Sequence, residues 1–150
     1  MFHNHKEQIK ISKMKLFKTI ALVACVILGF FACNNNDPKA KEKQLETSVL
    51  ALHDSTMAQM ETLANMQESV KKIITADSTK AKEGSQVLNS LADADNAMMD
   101  WMNNYDGKYI DAGHTHEEVM TYLTKQKTSI EAAQKKMNEG ISQSKKFVNP

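Results

Sequence analysis

The sequence contains no arginine, and no cysteine follows residue 33. The two cysteines, Cys25 and Cys33, lie in or beside an apolar leader, so the part of the chain beyond them has no thiol for a disulfide, a nucleophile or a metal ligand. From Cys33 onward, 14 lysines stand against 17 acidic residues, which leaves a net charge of −3. A mildly acidic chain without arginine lacks the basic face of nucleic-acid-binding proteins, so no nucleic-acid partner is expected.

Proline, glycine and aromatic residues are also scarce, at 2 prolines, 5 glycines and 6% aromatics. The helix formers alanine, lysine, glutamate, glutamine, methionine and leucine are abundant instead. This composition predicts an all-α fold and gives little support to an all-β or a doubly wound α/β domain. Without the leader, about 110 residues remain, which is enough for one modest hydrophobic core.

The leader begins with Lys15 and Lys18, which precede the apolar run 19–32, TIALVACVILGFFA. A membrane-spanning helix needs roughly 20 apolar residues, so this run is short for one. Its length suits the core of a secretory signal peptide. We therefore predict a signal peptide over residues 1–32, which resembles the leader of bacterial lipoproteins.

The cysteine that follows the cleavage site of such a leader receives lipid, and Cys33 is the predicted site. Cys25 is the alternative, because residues 22–24 fit the lipobox consensus better than Phe30 does before Cys33. Cleavage at Cys25 would, however, leave an apolar segment at the mature terminus. An uncleaved membrane anchor is the third interpretation.

The resemblance to lipoproteins also predicts the location of the protein. Residues 1–13 are a candidate extension, because Met14 begins a more usual leader than Met1. Residues 33–43 form the lipidated cysteine and a flexible polar tether. Two acyl chains give stable anchoring, and Asn34 after the cysteine favours the outer membrane, with the protein facing the periplasm.

Beyond residue 38, apolar residues recur in alternating steps of four and three, which is the periodicity of a helix face. The pattern predicts helices over 39–75, 78–106 and 115–147, within a folded domain that spans 44–148. The second helix starts at 78 or at 85, because Gly84 and Ser85 offer a second break. Thr115 and Glu118 match a capping box at the start of the third helix, whose last turns are expected to fray. Three amphipathic helices with short joins predict an antiparallel, up-down-up three-helix bundle.

Segment 92–105 contains the only tryptophan and three of the 10 methionines. The predicted register places His53 beside Trp101 and Met102. Thioethers and an imidazole suit Cu(I), so a soft-metal or haem site is the alternative to a methionine-filled core. The residues of this predicted layer are His53, Met57, Met98, Met102 and Met120.

Each of the other candidate sites can also be explained by an ordinary structural role of its residues. Trp101 and Tyr105 are expected to anchor the core, and a partner-binding patch is the alternative. The alternating His114 and His116 suit zinc or copper if a third ligand is close, but helix capping explains the same segment. Serine-nucleophile, phosphate-loop and HExxH motifs are absent, so no catalytic residue is assigned and an enzyme is not expected.

Two segments carry a further resemblance: Leu52-His53-Asp54-x-x-Met57-x-x-Met60, and Ala94-Asp95-x-Ala97-Met98-Met99-x-Trp101-Met102-x-x-Tyr105. They resemble small lipoproteins of Bacteroidota-type bacteria, some of which carry the label "viral A-type inclusion protein". The resemblance implies a helical, membrane-tethered protein and supplies no activity. The expected function is a structural or adaptor role with an envelope protein as partner, and the sequence leaves the oligomeric state open.

Overall fold

The computed structural model describes residues 37–150, which are helical apart from short connections and contain no strand. The all-α prediction is confirmed for this part of the chain. The helices are α1 (Pro38–Met57), α2 (Met60–Ala76), α3 (Ala81–Asn104) and α4 (His116–Val148). The predicted signal peptide, with Cys25 and Cys33, lies outside the described residues. Among the helices of residues 37–150, none has the length and hydropathy that crossing a bilayer requires.

The single first helix predicted over 39–75 is wrong, because residues 58–59 separate α1 from α2. The Thr56 hydroxyl donates to the Leu52 carbonyl over 2.8 Å, and the Ser55 hydroxyl donates to the same carbonyl over 2.9 Å. Hydroxyls that bond back to the preceding turn bend helices. Gln134 on α4 also donates to the Ser55 hydroxyl, over 2.9 Å, so the break is held against α4.

α3 begins at Ala81, between the two predicted starts. The Asp77 carboxylate accepts hydrogen bonds from the amide and the hydroxyl of Thr79, at 3.0 and 2.6 Å, and this turn joins α2 to α3. Gly84 is not a helix break but a buried residue of α3, where an added Cβ would come within 2.5 Å of Ile74 Cγ1. The glycine therefore lets α2 and α3 approach each other closely.

Contacts between distant parts of the chain define the helix directions. Trp101 donates to the Gln126 carbonyl, and Gly140 lies against Ser90, so α3 and α4 run antiparallel. His116 bonds to Glu42, so α1 and α4 begin at the same end of the fold. We call this end, which also carries residues 105–115, the loop end.

The steps of four and three in the predicted third helix begin at Val119, and the residues that they reach lie on the inner face of α4 and are buried. They are Val119, Leu123, Gln126, Ile130, Ala133, Met137, Gly140 and Ser144. The expected fraying of the last turns is wrong, because Ile141 and Phe147 are also buried and the helix continues to Val148. The capping box is present: the Thr115 hydroxyl accepts from the Glu118 amide, and the Glu118 carboxylate accepts from the Thr115 amide.

Candidate functional site

Six aromatic rings contact one another in series at the loop end, and we call this series the aromatic ladder; four of its contacts are stacked, and the Tyr105–Tyr122 contact is tilted. In order, they are His53, Trp101, Tyr105, Tyr122, Tyr109 and His114. The successive ring centroids are 5.2, 4.8, 6.3, 4.1 and 4.0 Å apart. Stacked rings contribute about 0.5–1.5 kcal/mol per pair beyond the area they bury. The ladder therefore fastens the loop between α3 and α4 to α1, α3 and α4 together.

Trp101 is the one buried ring of the aromatic ladder and is only 4% exposed. Its Nε1 donates to the Gln126 carbonyl over 3.1 Å, which satisfies the one polar atom that the indole would otherwise bury unpaired. The Gln126 side chain in turn donates to the Asn104 carbonyl at the end of α3, over 3.4 Å. Trp101 thus holds α3 and α4 in a defined register.

Tyr105 follows Trp101 in the ladder and is half-buried. Burial, followed by the negative charge of Glu46, raises the pKa of Tyr105 to about 12. Burial also raises the pKa of Tyr122, whose hydroxyl accepts a hydrogen bond from the Asp106 amide over 2.6 Å. Both phenols are therefore neutral at ordinary pH, and the Tyr122 hydroxyl also donates to the Asp106 carbonyl over 3.3 Å.

The loop end also contains a buried carboxylate, which the sequence analysis did not predict. Glu42 is 1% exposed and accepts hydrogen bonds from His116 Nδ1 over 2.8 Å and from Lys39 Nζ over 3.0 Å. The bond from His116, followed by the bond from Lys39, holds the pKa of Glu42 below its usual value. Glu42 lies three residues before Leu45, where the apolar repeat of the predicted first helix begins, so one more step of the repeat reaches it and gave a signal for its burial.

The predicted methionine layer is only partly assembled. His53 stacks on Trp101 as the register predicted, and Met98 and Met102 belong to the packing around the same tryptophan. Met57 is 38% exposed, and the half-buried Met120 belongs to neither core cluster of the described residues.

His114 and His116 do not come together in the zinc or copper site that the sequence suggested. His116 is bonded to Glu42, whereas His114 stacks on Tyr109 and lies 4.0 Å from Glu118. Within residues 37–150, no group of three or more histidine, cysteine, aspartate or glutamate side chains is placed to hold a metal ion.

A groove runs between α3 and α4, and we call it the α3–α4 groove. Its larger depression has a volume of about 700 Å³ and lies over Ala97, Ser129 and Ala133. A second depression of about 320 Å³ continues it toward the start of α3, where Glu83 and Lys146 face each other. The small side chains on its floor let a bound chain approach the two helix backbones closely.

The walls of the α3–α4 groove carry charges that are sorted by sign. The charged residues that α3 contributes are all acidic: Glu83, Asp93 and Asp100. The charged residues that α4 contributes are all basic: Lys125, Lys136 and Lys146. All six are exposed, and none forms an ion pair with another described residue.

Comparison of the chain with protein-family models, with curated proteins and with solved structures finds no match. Its function is therefore inferred from the sequence and from the geometry of residues 37–150.

Proposed function

We propose that the protein is a lipid-anchored helical module of the cell envelope that binds another polypeptide chain through the α3–α4 groove. The observation that carries this proposal is the pair of facing walls, one acidic and one basic, whose charges have no partner within the described chain. The scaffold for the groove is an up-down-up three-helix bundle, in which α1 and α2 together act as the first helix.

Two ion pairs elsewhere on α4 support this interpretation by contrast. Lys127 pairs with Glu131 and Lys135 pairs with Glu139, each over 3.8 Å and each one helical turn apart. Such pairs are the usual arrangement on a solvated helix face. Lys125 lies on the same helix, but it lines the groove and has no acidic partner there. Segregated charges of this kind orient an approaching partner and exclude wrong ones.

The free energies of ion pairing and of apolar burial indicate different roles for the charged walls and for the floor of the groove. An exposed ion pair is worth about 0.2–1 kcal/mol, so a few pairs select a partner and its register more than they supply affinity. Affinity comes from apolar area removed from water, at about 25 cal/mol per Å². Ala97 and the exposed Ala132 supply part of that area in the groove.

The envelope part of the proposal is supported by the leader. A basic start, the apolar run 19–32 and Cys33 follow one another as in bacterial lipoproteins. The resemblance to small Bacteroidota-type lipoproteins agrees with this assignment. We propose Cys33 as the lipidated residue and the outer membrane, facing the periplasm, as the location.

Photo-crosslinking in intact cells tests the proposal. A photo-crosslinking amino acid replaces Asn96, an exposed residue that lines the groove, in the full-length chain. The matched control is Asn65, which is equally an exposed asparagine but lies on α2, away from the groove. We expect one discrete protein adduct from position 96 and none from position 65. Equal or absent labelling at the two positions would contradict binding through the groove.

A soft-metal site is the second candidate, and the geometry of His53 favours it. Its Nδ1 lies 2.9 Å from the Asp54 carboxylate, which is the orientation that outer partners impose on metal-binding histidines. Nε2 is then the nitrogen left to bind a metal. The exposed Met57, four residues along the same helix, offers a thioether for Cu(I).

A further inference from the structure

We infer that the partner in the α3–α4 groove is a second copy of this chain, related to the first by a two-fold axis that runs along the groove. This inference rests on the proposed function and names the partner. It follows from the levels of the charged residues along α3 and α4, from the symmetry that these levels permit, and from the end of the fold at which α1 begins.

Opposite charges lie at matching levels on the two walls. Gly140 of α4 is set against Ser90 of α3, where an added Cβ would lie 3.1 Å from the Ser90 carbonyl oxygen. Asp93 lies three residues after Ser90 on α3, and Met137 lies three residues before Gly140 on the antiparallel α4. Lys136 is the next residue, so Asp93 comes within about 1.5 Å of its level. The two side chains lie across the groove from each other and form no ion pair within one copy.

The second pair of charges follows from the same backbone contact. Glu83 lies seven residues before Ser90 on α3, and Lys146 lies six residues after Gly140 on α4, so the two come within about 1.5 Å of the same level. Asp100 and Lys125 are less closely matched, because the same count sets them about 7.5 Å apart along the helices. The acidic and basic walls are therefore matched in height at two positions.

This pattern is self-complementary for one symmetry only. A two-fold axis along the groove keeps every residue at its own level and brings α3 of one copy over α4 of the other. Asp93 of each copy then faces Lys136 of the other, and Glu83 faces Lys146. A two-fold axis across the helices would instead set acidic wall against acidic wall and basic against basic, which like-charge repulsion disfavours.

The same axis places the starts of both α1 helices at one end of the dimer. α1 begins at the loop end, beside the start of α4, because His116 bonds to Glu42. An axis along the groove preserves this direction, so the two copies run parallel and both chains enter from the same side. Two chains that are anchored in one membrane, as proposed above, meet that requirement.

The size of the face suits such a pair. From Glu83 to Asn104 the groove is about 32 Å long, and two helices side by side are about 20 Å wide. Each copy would bury about 600 Å², so the interface would lie at the lower limit for a specific protein pair. Glu83 and Lys146 extend the charge pattern into the second depression, at the end of the groove away from the loop end.

Charge exchange between two copies tests the inference. Two full-length copies with different C-terminal tags are produced together, extracted from membranes in mild detergent, and recovered through one tag. We expect wild-type copies to recover each other. We expect Asp93→Lys copies to recover one another about tenfold less or worse, because two attractive pairs become repulsive, and Lys136→Asp copies to behave likewise. An Asp93→Lys copy with a Lys136→Asp copy restores both pairs, so recovery returns to the wild-type level.

Matched controls separate this effect from misfolding and from shared detergent micelles. Glu61→Lys and Lys71→Asp make the same charge changes at exposed positions of α2, and both leave recovery unchanged. Rescue in the mixed pair requires that both variants fold. Copies that merely share a micelle would be recovered whichever residue stands at position 93.

Any one of four results would overturn the inference. The first is equal recovery of wild-type and Asp93→Lys copies, and the second is a mixed pair that fails to regain recovery. In the third, wild-type copies do not recover each other while the photo-crosslinker at position 96 captures a different protein; self-association then fails and the proposed function stands. Absence of both recovery and crosslinking overturns the two proposals together.

Discussion

Glu42 and His116 lie 74 residues apart in the chain, and His116 Nδ1 donates a hydrogen bond to the Glu42 carboxylate over 2.8 Å. This bond closes the loop end by joining the first turns of α1 and α4. Because Glu42 is 1% exposed and also accepts from Lys39, the fold at this end depends on an ionised carboxylate.

The first prediction concerns acid stability. The folded-state pKa of Glu42 lies below its usual 4.5, so its contribution to stability is complete above that pH. The contribution is lost as the pH falls from 4.5 through the lowered pKa. Glu42→Gln should therefore flatten the acid side of the plot of melting temperature against pH, measured by circular dichroism. Glu61→Gln, at an exposed position, is the control. Equal acid limbs in the wild type and in Glu42→Gln would contradict the prediction.

The second prediction concerns Tyr105, whose pKa is raised from 10.0 to about 12 by burial and by Glu46. A raised pKa means that the folded state favours the neutral phenol, so this stabilisation is present below pH 10 and is lost as the pH rises toward 12. Titration of tyrosinate absorbance should show a late step that Tyr105→Phe removes. Glu46→Gln should move that step to lower pH, and a step that is indifferent to both changes would refute the assignment.

The third prediction concerns Gly84. Replacing a glycine inside a helix by alanine usually stabilises it by up to about 1 kcal/mol. Here the new Cβ would meet Ile74 at 2.5 Å and Phe147 at 3.0 Å. We expect Gly84→Ala to lower the free energy of unfolding in urea by about 1–3 kcal/mol, because overpacking outweighs helix propensity. Gly107→Ala, with no neighbour closer than 3.8 Å, should be near neutral. A stabilised Gly84→Ala would show that α2 and α3 separate without cost.

The fourth prediction concerns the membrane anchor. Cells that produce the full-length chain are supplied with an alkyne fatty acid, and the labelled protein is detected after coupling to a dye. We expect labelling of the wild type and of Cys25→Ala, and loss of labelling in Cys33→Ala. Labelling that depends on Cys25 instead would move the cleavage site into the apolar run, and labelling of neither variant would implicate both cysteines.

The fifth prediction concerns the soft-metal candidate. If His53 and Met57 bind Cu(I), a titration against a competing chelator should show stoichiometric binding that His53→Ala abolishes. Tryptophan fluorescence should respond as well, because the His53 ring stacks on Trp101 at 5.2 Å. His114→Ala is the matched control, since His114 stacks at the other end of the ladder. Binding that survives His53→Ala would retire the site.

The hydrophobic periodicity predicted the buried face of α4 residue by residue, because burial of a helix face repeats with the turns of the helix. The capping box at Thr115 was equally predictable, since its hydrogen bonds join residues only three apart. The neighbours His53 and Trp101 followed from the hairpin register. The break at residues 58–59 was not predictable from the apolar pattern, because that pattern continues across it. The hydroxyls of Ser55 and Thr56 bond to the Leu52 carbonyl just before the break, and Gln134 of α4 bonds to Ser55 there.

The candidate site was less predictable. Glu42 lies one step before the apolar repeat of α1, but its hydrogen-bonded burial depends on His116, which is 74 residues away in the chain. From the sequence alone, the exposed charged residues of α3 and α4 are indistinguishable from ordinary solvated residues, because the register of the two helices is not known. Only then do Asp93 and Lys136 come to lie across one groove.

The sequence by itself determined what local repetition controls: helical content, the inner face of each helix and the cap of α4. Tertiary structure decided what depends on the distance between helices: that Gly84 is a contact with Ile74 and not a break, that Glu42 is buried, and that acidic and basic residues face each other across the α3–α4 groove. The physical reason is that helix formation and amphipathicity are set by residues within a turn or two. The pairing of polar and charged groups between helices is set instead by the axial offset and separation that core packing selects.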